Sequence, residues 1–183
     1  MKRASLFVLI LLFSFSAILL EKPLSTSADE VDQSAFDAVA SLRKESGAKG
    51  EEATASLASL DYLGHSEAFD RAVFALTEAV LGIIEEYDYP IRRQAAEDLG
   101  NLLVSQDERL ILLNSQTVWK GISTLLQVQL ALPKWRGGLD RNWEHLQLRK
   151  SCTNALLRIA RKFAASPVLR ELYDRMTASV ERE

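Results

Sequence analysis

Between Pro90 and Leu126 the chain starts three apolar helical faces in quick succession with only short polar breaks between them, and no other stretch limits the fold as strongly. Ile91, Ala95, Leu99, Leu102 and Leu103 recur at steps of three and four behind Pro90, whose fixed φ suits a first helical position. Leu112 and Leu113 begin a second face, and Val118, Ile122, Leu125 and Leu126 a third. Short helices joined by tight polar turns cannot each bury a stripe alone. They must stack on one another and on their neighbours, which predicts an all-α fold.

The flanking sequence has the same period. Ala35, Val39 and Leu42 mark a modest amphipathic helix within 29–50, a stretch read as a weakly structured helical linker. Glu51 to Leu63 predicts a helix with Ala53, Leu57 and Leu60 aligned and Gly64 in the C-cap place. Ser66 is then expected to cap the longest helix, Glu67 to Tyr87, striped by Phe69, Val73, Leu76, Val80, Ile83 and Tyr87. After the central stretch, Pro133 to Asn142 reads as an inserted loop, and Trp143 to Phe163 carries Leu148, Cys152, Ala155, Leu156, Ile159 and Phe163 on one stripe. Ser166 with Pro167 opens a last helix, in which Leu169, Leu172, Tyr173, Met176 and Val180 face one way.

Gln94 to Leu103, QAAEDLGNLL, resembles the third helix of an armadillo repeat, and SQDERLILLNSQTVWKGISTLLQ after it is similar to the first two helices of the next. The likeness departs from the family where Ser115 and Gln116 stand in place of the usual glycine, so HEAT-like repeats are the near neighbour. Laying Gln94–Leu102 over Ser151–Ile159 pairs Leu99 with Leu156, 57 residues on. Repeats of this type span roughly 40–47 residues, and the loop at 133–142 accounts for most of the excess. The resemblance implies an armadillo-like α-solenoid of about two three-helix repeats, near 51–104 and 107–163, with flanking helices. The expected domains are a leader at 1–28, the linker at 29–50 and the helical domain at 51–183.

Composition narrows the function classes. A formal charge of −3 gives no reason to expect nucleic acid as a partner. Charge is unevenly spread, with ten acidic residues against three basic ones from Asp29 to Asp70, and eight basic against two acidic from Lys134 to Lys162. The single cysteine excludes an internal disulfide and sits on an apolar stripe, as a core residue would. His65 and His145 belong to no local ligand cluster, so neither a metal nor a cofactor is expected. No nucleophile, carboxylate pair or phosphate loop forms a catalytic constellation, and the chain reads as a non-enzyme.

The leader has Lys2 and Arg3 before a charge-free run from Leu6 to Leu20, then Thr26, Ser27 and Ala28. That is the pattern of a signal peptide, and the run is somewhat shorter than the roughly 20 residues of a membrane span. An uncleaved anchor through residues 6–20 is the alternative. Both readings place the helical domain in the secretory pathway, in the endoplasmic reticulum lumen or outside the cell, the exception being an organellar outer-membrane anchor, which would leave the domain in the cytosol.

In the armadillo family the third helices line a groove, and the asparagine of the L-G-N-L motif hydrogen-bonds an extended peptide. The resemblance carries that role to Asn101, with Arg158 as its counterpart in the second repeat. Glu97 and Asn154 take the place often held by a groove tryptophan. Trp135 and Arg136, in the flexible loop beside Gly137 and Gly138, are the second binding candidate, because exposed Trp and Arg anchor many interfaces. Trp143 is expected to fold back over a helix end. The expected function is therefore a protein-binding module, an adaptor or chaperone cofactor whose layout resembles the luminal armadillo-type nucleotide exchange factors. The alternative is a structural or assembly subunit of a membrane complex, anchored by the leader.

Overall fold

The apolar stripes become helices throughout. In the computed structural model the described residues are 26–83, 88–131 and 139–180, and among them there are eight helices and no strand. In chain order these are α1 Thr26–Leu42, α2 Ala48–Ser59, α3 Ser66–Leu81, α4 Tyr89–Ser105, α5 Glu108–Leu113, α6 Ser115–Leu130, α7 Leu139–Ala165 and α8 Pro167–Val180. Residues from Val31 to Glu183 form one compact unit; of the other, residues 1–30, only the start of α1 is described.

Pairs between helices reveal their directions. Thr54 meets Asp98 and Leu60 meets Gln106, partners 44 and 46 residues apart, so α2 and α4 run the same way. Ser151 meets Glu97 and Lys162 meets Val104, 54 and 58 apart, so α7 runs with α4 as well. These three helices form a row with α4 in the middle. A second set behaves alike: Asp32 lies by His65 and Arg43 by Glu78, aligning α1 with α3. Ser66 meets Asn114, and Val73 lies against Gly121, aligning α3 with α6. Arg149 of α7 donates to the Gln129 carbonyl of α6, and α4 packs against α3, so the two sets are joined through their apolar faces.

The core lies where these faces meet. Val73, Leu76, Leu99, Leu103, Val118, Leu125, Leu148 and Cys152 are all closed to solvent. Tyr62, in the α2–α3 turn, is also fully buried; its ring stands edge-on to Phe69 and its hydroxyl donates to the Leu57 carbonyl.

Several expectations change at helix ends. The stripe running to Tyr87 predicted a longer α3, but the helix stops at Leu81 because Gly82 takes φ 67° and its N–H closes on the Glu78 and Ala79 carbonyls. Ile83 is left exposed; Tyr87 lies outside the described residues. Gly64 sits in the α2–α3 turn, and the C-cap of α2 is Leu60. Ser66 begins α3 inside the helix, with His65 at the N-cap, and its hydroxyl bonds Asn114. Residues 29–50 hold most of α1 and the start of α2, and Ala35, Ala38, Leu42 and Gly50 are buried there.

The α5–α6 turn is the single residue Asn114, so Ser115 and Gln116, which stand where the family has its glycine between helices, lie inside α6. The Asn114 amide donates to the Leu110 carbonyl while its own carbonyl receives the Val118 N–H. Leu113, assigned to an apolar position, is 79% exposed, because so short a helix buries Leu110 and Ile111, packs Leu112 partly on the core and leaves its last residue outside.

Candidate functional site

The candidate surface is the solvent side of the α2–α4–α7 row, and its residues follow from how α4 is held. One flank of α4 meets α2. Gly50 is buried against Ile91, and the Thr54 hydroxyl donates to the Asp98 carboxylate at 2.8 Å, which also accepts from Gln94 at 3.0 Å. Asp98 is buried, and burial raises its carboxyl above the usual range; hydrogen bonds from Gln94, Thr54 and Asn101 pull it back, and the charge of Glu97 adds to the rise. Gln106 closes this seam, accepting from the Tyr62 N–H and donating to the Leu60 carbonyl.

The other flank of α4 meets α7 at closer range. A Cβ on Gly100 would stand 2.7 Å from the Ala155 Cβ and 2.9 Å from its Cα, so the helices approach through a gap that only glycine leaves open. Polar side chains of α7 then reach across. Ser151 donates to the Glu97 carboxylate at 2.7 Å, and Arg158 Nη2 donates to the Glu97 carbonyl at 3.0 Å. Lys162 Nζ donates to the Val104 and Gln106 carbonyls at the end of α4. An ammonium satisfies carbonyls left open at a helix C-terminus and complements its partial negative charge. Burial lowers the Lys162 pKa, while Glu108 and Asp107 oppose that shift.

Glu97, Asn101, Asn154 and Arg158, the residues that the resemblance assigns to the groove, all lie on this row. Asn101 and Asn154 are exposed; Glu97 and Arg158 are half-buried and occupied in the α4–α7 seam. Arg158 Nε is buried without an acceptor among the described residues. The arrangement can therefore offer two carboxamides on neighbouring parallel helices, with the Asn101 amide giving one N–H to Asp98 and keeping its carbonyl and second N–H.

Trp135 and Arg136 lie outside the described residues. Trp143, expected to fold back, is instead 62% exposed, with no described residue covering its ring. Sequence reasoning missed Thr54, Asp98, Ser151, Gln106 and Lys162, the residues that set the register of the row. The signal available was a polar residue directly adjoining an apolar stripe in each of two helices.

Cys152 is buried in the core, and burial pushes its thiol up to about 12, opposed by the charge of Arg92. Among the described residues no group of His, Cys, Asp and Glu could hold a metal ion, and no helix is long and apolar enough to cross a membrane. Comparison with protein-family models, with curated proteins and with solved structures finds no match to this chain.

Proposed function

We propose that the chain is a non-enzymatic protein-interaction module whose helices stack as an armadillo-like or HEAT-like solenoid and whose α2–α4–α7 row binds an extended polypeptide. The observation that supports this is the placing of Asn101 and Asn154 on the exposed sides of two adjacent helices that run in the same direction. Carboxamides in that arrangement can pair with the alternating donors and acceptors of a peptide backbone without demanding a particular side chain. The helix pairs α1–α2, α3–α4 and α6–α7 each place one member in either set of parallel helices, which favours HEAT-like over strict three-helix repeats. On this reading α5 is a short extra helix preceding the third pair.

The leader at 1–28 supports a place in the secretory pathway, where an adaptor or chaperone cofactor would meet its polypeptide partner. Sequencing the N-terminus of the protein recovered from cells decides between cleavage near Ala28 and retention of an anchor at residues 6–20.

The binding reading is tested by selecting extended peptides from a random library on the full chain, then measuring their affinity for Asn101→Ala/Asn154→Ala. Asn154→Ala alone should unfold as the parent does, and the double variant, which also takes the Asn101 hydrogen bond from the buried Asp98, should lose some stability yet stay folded at the assay temperature while peptide affinity drops about tenfold, from two lost hydrogen bonds. Peptides that bind parent and variant equally, or a library yielding nothing above scrambled controls, would overturn the assignment.

A further inference from the structure

The first and last helix pairs each have an outward side that no described neighbour covers, and the two sides are complementary. Between α1 and α2 lies a groove of about 530 Å³. Its walls include the small side chains of Ser34, Ala38 and Ser56, and Asp37, Glu45 and Glu52 supply three carboxylates, with Lys49, paired to Glu45 at 3.7 Å, as the lining cation. At the opposite end, Leu146, Lys150, Leu157 and Arg161 recur along α7 at steps of four, seven and four, which puts them on one face of the helix. All four are exposed, Leu146 and Leu157 by about half. Their face is turned away from α4, which α7 meets through Ser151 and Ala155, and away from α6, which it meets through Arg149.

We propose that this face of α7 docks into the α1–α2 groove of a second copy, so that the protein associates head to tail. Small side chains between two helices leave room for a third helix to lay leucines into the gap. The charges select the orientation: Lys150 and Arg161 meet the carboxylates of the groove, whereas α7 against α7 would oppose cations and groove against groove would oppose acids. Because the two patches are different surfaces of one chain, each copy keeps an open end after pairing, and the assembly grows by addition. The association is independent of the peptide surface proposed above; Asn154 lies at the margin of both and is left untouched in the test.

Sedimentation velocity of the full chain over a rising concentration series at low salt reads the outcome. The parent should form a series of oligomers that shrinks as salt is added. Asp37→Lys/Glu52→Lys and Leu146→Asp/Leu157→Asp should each be monomeric with unchanged thermal unfolding, and an equimolar mixture of the two should stop at a dimer, since each supplies the end that the other lacks. Should the leucine variant misfold, Lys150→Glu/Arg161→Glu replaces it, and joining it with the acid reversals in one chain should restore self-association. A parent that stays monomeric, association that neither variant alters, as a leader-driven contact would give, or dimers persisting in one variant alone, as a symmetric contact would give, would each overturn the proposal.

Discussion

The two flanks of α4 reach the same result by different means. Towards α2, Gln106 at the helix end apart, the contact is made by side chain on side chain: Gly50 admits the end of Ile91, and a buried carboxylate is held by Thr54, Gln94 and Asn101. Towards α7, the Ser151–Glu97 bond apart, the contact is made on the backbone: Gly100 lies against Ala155, and Arg158 and Lys162 donate to main-chain carbonyls of α4 and its cap. Side chains can rotate away from an intruding atom, but a helix backbone must move as a body. The α4–α7 seam is therefore the less forgiving of volume changes, and the α2–α4 seam the less forgiving of changes in polarity.

The largest expected effect tests the first half of that contrast. Gly100→Ala forces a Cβ onto the Ala155 backbone and should cost about 1–3 kcal/mol, lowering the thermal midpoint by about 2–4 °C per kcal/mol in a chain of this size. A midpoint equal to the parent's would show that α7 can slide away freely, and the two flanks would no longer differ.

Next in size is Thr54→Val, which removes the hydroxyl from the buried Asp98 carboxylate. Leaving that group one partner short should cost about 1–3 kcal/mol at neutral pH, read by denaturant unfolding, and adding Asp98→Asn should recover most of the loss. The same carboxyl gives a pH signature. Because its folded pKa lies above its ordinary value of 3.8, the folded chain holds the proton more tightly than the unfolded chain. Its contribution is thus most favourable below 3.8 and declines as pH rises from there through the folded value. Asp98→Asn should lack this decline, so the stability difference between parent and variant should change across that window and level off above it; parallel pH profiles would remove the buried charge from the explanation.

Lys162→Met should be milder, about 1 kcal/mol, because it takes a donor from two carbonyls at a helix end that solvent can partly reach. Amide exchange should report the loss first in the last turn of α4, and uniform loss across the helix would argue against a local cap. Gly50→Ala should be smallest, within about 1 kcal/mol of the parent in thermal unfolding, since the nearest atom is the Ile91 end methyl and alanine is the better helix former. A larger loss than Gly100→Ala would invert the comparison.

The periodic parts of this fold were legible in the sequence. Leu99, Leu103, Val118, Leu125, Leu148 and Cys152 are buried where three-and-four spacing put them, because an amphipathic stripe has few ways to avoid a core. What was not legible depends on neighbours that local sequence does not name. Glu67 to Tyr87 keeps its period past the helix end, and only the left-handed conformation of Gly82 stops α3 early. Leu113 looks like a core residue until the shortness of α5 turns it to solvent, and Trp143, expected over a helix end, is exposed. The candidate surface was half legible: Asn101 and Asn154 are exposed on their helices, but nothing local indicated that Glu97 and Arg158 would be taken up in joining α4 to α7.

Cys152 gives the chain a built-in gauge. A thiolate is the species that reacts with disulfide reagents, and a thiol pushed up to about 12 while closed to solvent supplies almost none in the native molecule at neutral pH. Modification must then wait for α7 to lift from its neighbours. With no second cysteine to confuse the trace, colour release from such a reagent follows the opening of α7 alone, variant by variant, without any added dye.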